Sequence, residues 1–196
     1  FIGEMKNKYP KHHKEIETLI LPYGETFFGR QQKDLHRVTI NLKRKYGELK
    51  KINEIISKAG QDLRMHQRNF HWIQNNYKNV DEIHIEEFAK QIMELLGKDL
   101  KELEEKFEEL NSSAENHKNK CRSIEKEKFF NKSDYDKMLW AGKCAWWIDR
   151  RKKYNLIANH YLGKHLKWIC NEYNLKYEDA AFLLPWEIDL ITKGKK

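Results

Sequence analysis

Proline, glycine and cysteine are all scarce in this sequence, and each shortage excludes something. Only 3 Pro and 9 Gly occur among 196 residues, so long helices can run with few interruptions. Glycine this thin leaves no GxxxxGK(S/T) or GxGxxG loop to cradle a phosphate, and HExxH and GxSxG are absent as well. An independent nucleotide-binding domain within these residues is thereby disfavoured. The 3 cysteines, Cys121, Cys144 and Cys170, are far apart and form no CxxC pair. That pattern argues against a disulfide framework or a thiolate zinc site and leads to the expectation of a reducing, cytoplasmic setting. No apolar run approaches the ~20 residues of a membrane span, and Phe1-Ile2-Gly3-Glu4 does not read as a signal peptide. A first residue other than Met leads to the expectation of a piece excised from a larger multidomain protein.

What the sequence does have is charge and aromatic rings. The charged fraction is 35% and the apolar fraction 39%, a balance that in other chains accompanies disorder. Here 6 Trp, 9 Tyr and 9 Phe supply the large buried areas that a disordered chain lacks. Lys and Arg exceed Asp and Glu by 38 to 30, a net charge of +8. Such an excess admits nucleic-acid, membrane or phosphate partners, but acidic residues such as Glu102, Glu104 and Glu105 dilute it within the same segments.

The apolar spacing predicts an all-α fold, a helical bundle of long amphipathic helices with short connecting ones. Ile16, Leu19 and Ile20 mark a short helix ending before Pro22-Tyr23-Gly24. Leu35, Val38, Leu42, Leu49, Ile52 and Ile56 read as one long helix stopped by Ala59-Gly60. In Gln61–Tyr77, Leu63, Phe70 and Ile73 are core candidates, and a polar loop over Asn75–Asn79 follows. Ile85, Phe88, Ile92, Leu95 and Leu96 form a helix closed by Gly97, and Asp99 with Glu102 opens another by a capping box. Asn111-Ser112-Ser113 reads as a weak break before a charged helical arm over Ala114–Lys128. Ser133 with Asp136 starts a long helix ending at Asn174, and Pro185 opens a last helical turn. Residues 1–196 are expected to form a single helical domain, with a division into 1–60 and 61–196 as the alternative.

Few residues have the pattern of a reactive site. His66 and His71 are five apart, as are His160 and His165, and helical metal pairs normally sit three or four apart; no metal site is expected. Neither is a catalytic residue. The most unusual stretch is Ala145-Trp146-Trp147-Ile148-Asp149-Arg150-Arg151-Lys152-Lys153. Adjacent Trp residues on a helix face about 100° apart, so one can enter the core while the other lines a groove. Asp149 can pair with Lys152 or Lys153; Arg150 and Arg151 can join such surface pairs or clamp an anion. Trp and Arg together also suit stacking of single-stranded bases.

The stretch HQRNFHWIQNNY followed by IHIEEFAKQIMELL, within Leu63–Leu110, resembles the helical region of phosphoenolpyruvate synthase-like, phosphoenolpyruvate-utilising proteins. WWIDRRKKYNLIANHYLGKHLKWICNEYNLKYEDAAFLLPWEI resembles the segment just before their swivelling phosphohistidine domain, with Leu175, Asp179, Phe182, Leu183, Glu187 and Ile188 at the matching places. The resemblance spans roughly Gln61 to Ile191. It implies a non-catalytic linker or substrate-binding region of an ATP-dependent phosphotransferase, working with ATP-binding and phosphohistidine domains of the same parent protein. ATP and Mg belong to that parent, and no cofactor is expected in this chain. No His here has the Gly/Thr/Ser-rich setting of the family's phosphohistidine. Arg64, Arg68, His71 and Trp72, with Trp147, Arg150 and Arg151, are then the residues expected to hold a small anionic or aromatic acceptor. Neither a membrane nor a nucleic-acid partner is expected on this reading. The rival expectation is a free-standing helical binding module for nucleic acid or a protein partner.

Overall fold

The computed structural model describes residues 1–75 and 80–194. Among them there are nine helices and no strand, the all-α architecture that the apolar spacing predicts. The expected polar loop lies, from 76 to 79, outside the described residues. Two compact units divide the chain: Phe1–His71 with Ile83–Lys153, and Trp72–Glu82 with Tyr154–Lys196. The boundary does not follow the expected 60/61 division, because Gly60 lies inside a helix of the first unit.

The first unit begins with α1 (Ile2–Lys8) and α2 (His13–Ile20), then α3 (Phe27–Tyr46) and α4 (Ile52–Phe70). The single helix expected over Leu35–Ile56 is therefore two. Gly47, at φ 72° and ψ −143°, adopts a backbone that side-chain-bearing residues avoid, and it ends α3. Beyond the break the apolar phase restarts, and Ile55 and Ala59 become the buried positions. Gly60 kinks α4 at φ 48° and ψ −113° without ending it. Next come α5 (Ile85–Leu96), capped at Gly97 as expected, and α6 (Leu100–Glu127), whose cap Asp99 accepts from the Lys101 N–H at 3.1 Å. Leu35, Val38, Leu63, Phe88, Ile92, Leu96 and Leu103 are the buried apolar residues where α3, α4, α5 and α6 pack together.

The expected break in α6 does not occur. Ser112 and Ser113 turn their hydroxyls back onto the carbonyls of Glu108 (2.7 Å) and Leu110 (2.9 Å), so the helix runs through them. Nor is its end a solvated arm: Cys121 and Ile124 join Met5, Ile16, Leu19, Phe130, Tyr135 and Met138 in one buried cluster. That cluster ties α1, α2 and α6 to the start of α7 (Lys132–Tyr173). The start signal sits at Asn131 rather than Ser133, since Asn131 Oδ1 accepts from the Asp134 N–H at 2.9 Å.

Asp134 is the polar counterpart of this cluster. Its carboxylate accepts from Lys8 Nζ at 2.6 Å, Tyr9 Oη at 2.7 Å and Asn131 Nδ2 at 2.9 Å. The Lys8 and Tyr9 hydrogen bonds lower its pKa to about 2, well below the usual carboxylate value. A carboxylate with a depressed folded pKa stabilises the fold above its unfolded pKa, near 3.8, and loses that contribution as pH falls toward its folded value. Wild type should therefore melt at higher temperature than Asp134→Asn at neutral pH, with the gap closing between about pH 4 and pH 2. Thermal melts of both proteins across that range check it. A gap that persists to pH 2 would show that the carboxylate's charge is not what matters.

The second unit contains the rest of α7, with α8 (Tyr177–Ala180) and α9 (Pro185–Thr192). Asn174, at φ 52°, ends α7, and the Leu175 N–H reaches back to the Cys170 carbonyl at 2.9 Å, a Schellman closure. Val80 packs directly over Gly163, where a Cβ would lie 2.3 Å from its Cγ2. His160 is buried here, with its Nδ1 3.0 Å from Asn75 Nδ2 and its Nε2 3.3 Å from Glu82 Oε1.

Candidate functional site

In the first unit α7 has two sharply different faces. Tyr135, Met138 and Gly142 are buried, and Gly142 lies against the backbone carbonyls of Leu19 and Leu21. Asp149, expected to pair with Lys152 or Lys153, belongs to this inner side. Its Oδ2 accepts from the Phe27 N–H at 3.1 Å, at the first turn of α3, where a carboxylate complements the helix dipole. Thr26 Oγ1 serves the same turn by accepting from Gly29 N–H at 3.0 Å.

The adjacent Trp residues part company as their 100° offset requires. Trp146 is half-buried, with its Nε1 donating to the Glu25 carbonyl at 3.3 Å. Trp147 is 59% exposed, and Trp140, one heptad earlier, is 64% exposed. Ile148 and Cys144 are exposed beside them. An open groove of about 820 Å³, lined by Trp140, Ala141, Cys144, Lys132, Asp136 and Lys137 among others, runs along the start of this face.

Lys132 and Lys137, at the start of this face, pair with Asp136 and Asp134; the cations further along are held by rings. Lys143 Nζ lies 5.6 Å from the Trp140 ring, and the Arg151 guanidinium 5.4 Å from Trp147. Arg150 sits 5.1 Å from Trp146, and Lys152 6.0 Å from Phe28. Elsewhere in the unit both arrangements occur: Lys45 and Lys58 lie over Tyr46 and Lys118 over Tyr23, while other cations sit on carboxylates. Arg30 and Lys33 bind Glu25, Arg44 binds Glu104, Lys98 binds Glu102 and Lys106 binds Glu109. A cation over a ring keeps its charge, whereas one on a carboxylate is locally neutralised. Lys143, Arg150, Arg151 and Lys152 thus keep their charge beside the rings of this face.

The residues singled out from the sequence fall into three places. Trp147, Arg150 and Arg151 lie on this face. Arg64 and Arg68, one turn apart on α4, are exposed, and His71 follows at its end with Nδ1 3.1 Å from the Arg68 carbonyl. Trp72 is only 4% exposed and is a core residue of the second unit. A ring so buried has no face to offer an acceptor.

His66 is fully buried. Its Nδ1 meets Asp34 Oδ2 at 2.7 Å, and its Nε2 faces Gln31 Nε2 at 3.3 Å. Gln31 Oε1 already accepts from Gln32 at 2.9 Å, which orients the amide so that the imidazole Nε2 accepts and Nδ1 donates. Burial pushes the Asp34 carboxyl upward, but its bonds to His66 and Arg37 outweigh that and hold it below its usual value. Both ring nitrogens are engaged, so this is a satisfied core network.

The exposed aromatics follow a regular spacing in the sequence. Trp140 and Trp147 are seven apart, and Tyr154, Tyr161 and Trp168 repeat that interval and are exposed in the second unit. Heptad aromatics ordinarily mark a core seam, and only exposure separates the two meanings. Among the described residues no helix is long and apolar enough to cross a membrane. No protein-family model, no curated protein and no solved structure matches this chain.

Proposed function

We propose that this chain is a helical binding module whose working surface is the outer face of α7 in the first unit, and that its partner is anionic. The observation that carries the reading is the arrangement of Lys143, Arg150 and Arg151 on indole faces rather than on carboxylates, beside the exposed Trp140 and Trp147. A desolvated partner carboxylate or phosphate gains hydrogen bonds from Arg without first breaking an ion pair.

Retention on an immobilised polyanion tests this. The triple variant Lys143→Ala/Arg150→Ala/Arg151→Ala should elute from heparin at clearly lower salt than wild type. A triple variant with the same charge change on α6, Lys101→Ala/Lys106→Ala/Lys120→Ala, should shift far less. Equal shifts would mean that net charge alone governs retention, and the α7 surface would lose its special standing.

The likeness to phosphoenolpyruvate-utilising proteins supplies a second reading, that of a linker or acceptor-binding region in a phosphotransferase. It is favoured by the end of the second unit, where Phe182 is 85% exposed and Leu184, Trp186 and Leu190 are exposed with it. Apolar side chains left open at that place suit a surface that a following domain covers. On this reading Arg150 and Arg151 hold a small acceptor.

A further inference from the structure

We infer that the anionic partner of the α7 face is single-stranded nucleic acid, an inference that rests on the binding-module reading above. Two kinds of anionic chain compete for such a surface, an acidic amphipathic helix and a nucleic-acid strand. An incoming helix needs apolar side chains at both seam positions of the heptad. Here the first position holds Trp140 and Trp147, but the positions three and four residues on hold Lys143 and Cys144, then Arg150 and Arg151. Three of these four positions carry a cation, Cys144 being the exception, so ring and charge largely alternate and a second helix would press its apolar ridge against guanidinium groups. A nucleic-acid strand alternates in the same way, with a flat base and then a phosphate. Indoles open to solvent at 64% and 59% offer the ring faces that bases stack on. Lys143 and Arg151 lie 5.6 and 5.4 Å from those two rings, and Arg150 lies 5.1 Å from the neighbouring, half-buried Trp146.

Duplex DNA fits less well. Its bases are already stacked on one another, and rings on an exposed ridge would gain nothing from it. Seven residues of helix rise about 10.5 Å, so the two indoles would take bases roughly three stacked steps apart, with the cations on the phosphates between them.

The test uses the full chain with an oligouridylate of about 12 nucleotides, measured by fluorescence anisotropy over a salt series. A duplex of the same length and a polyglutamate peptide serve as comparison probes. Expected are binding to the single strand in preference to both others, and a loss on the order of 10-fold for Trp147→Ala or Trp140→Ala. Trp147→Phe should retain most of the affinity because it keeps a stacking face. Arg150→Gln/Arg151→Gln should reduce the slope of log affinity against log salt by about 1.4, from ~0.7 per single-strand phosphate. Equal binding to all three probes, unaffected by Trp147→Ala, would leave an anion-binding surface standing and overturn the nucleic-acid assignment. Preferential binding of polyglutamate would hand the surface to an acidic protein partner. No binding to any probe, together with unshifted heparin elution of the α7 triple variant, would overturn the surface itself. Far-ultraviolet circular dichroism of each variant keeps a folding defect apart from a binding defect.

Discussion

Phe88→Ala should lower the free energy of unfolding by about 3–5 kcal/mol, while Trp147→Ala, also an aromatic truncation, should change it by no more than about 0.5 kcal/mol. The difference lies in what surrounds each ring. Phe88 is fully buried on α5, edge-on to His66 with ring centroids 4.7 Å apart. His66 in turn is held by Asp34 and faces Gln31, so it cannot swing into the space that the phenyl ring leaves. A rigid wall keeps the cavity open, and a cavity that cannot collapse has the larger cost. Of a total stability of about 5–15 kcal/mol, this one truncation removes a substantial share. Trp147 already lies mostly in water, and alanine is the better helix former. Urea unfolding of both variants gives the comparison, provided the m-value stays unchanged. A loss under about 1 kcal/mol for Phe88→Ala would show that the α3, α4 and α5 packing relaxes around the gap.

That contrast also marks where sequence reading succeeds and where it stops. Local punctuation was legible: Gly97 closes α5, Asp99 caps α6, Asn174 ends α7 and Pro185 opens α9. Each acts through its own backbone or a neighbour's, and a few residues of sequence contain the whole interaction. The α3–α4 break was hidden because Leu49 and Ile52 continued the three-four spacing across Gly47, and spacing does not record a change of direction. The uninterrupted α6 was hidden because Ser and Asn are read as breakers, although their hydroxyl and amide groups can also bond back along the helix, as Ser112 does to Glu108.

Long-range pairings were not legible at all. Asp134 finds Lys8 and Tyr9 more than a hundred residues away, and Asp149 finds the backbone of Phe27. Nearby Lys152 and Lys153 made a local partner for Asp149 the natural expectation, but α3's unsatisfied N–H group was the stronger claim on a partly buried carboxylate. The candidate surface was half legible. Trp147, Arg150 and Arg151 stood out by composition, but Trp140 and Lys143 did not. Their place beside Trp147 follows from the burial of the opposite side of α7, at Met138 and Gly142.

Gly142→Ala should destabilise the protein, against the ordinary rule for helices. In a helix interior alanine is better than glycine by ~1 kcal/mol, and α7 is regular at this point. A Cβ at 142, however, would lie 2.5 Å from the Leu19 carbonyl oxygen and 2.7 Å from that of Leu21. Both are backbone atoms at the end of α2, and neither can rotate aside as the tip of a side chain can. The Gly142 carbonyl itself accepts from the Tyr23 N–H at 3.2 Å, so the segment after α2 is anchored to this point of α7 from both directions. Making room means drawing α2 back, and Ile16 and Leu19 would leave the cluster they share with Met138 and Cys121. Overpacking of this kind costs about 1–3 kcal/mol or more, and with the overlap on rigid backbone a net loss of about 2 kcal/mol should remain after the helix gain. Gly3→Ala is the control, since a Cβ there meets nothing within 4 Å, and it should be neutral or slightly stabilising. Chemical denaturation of the two variants separates propensity from spacing. A Gly142→Ala protein as stable as wild type would mean that α2 is free to move outward, and the close approach would then not be what holds α2 against α7.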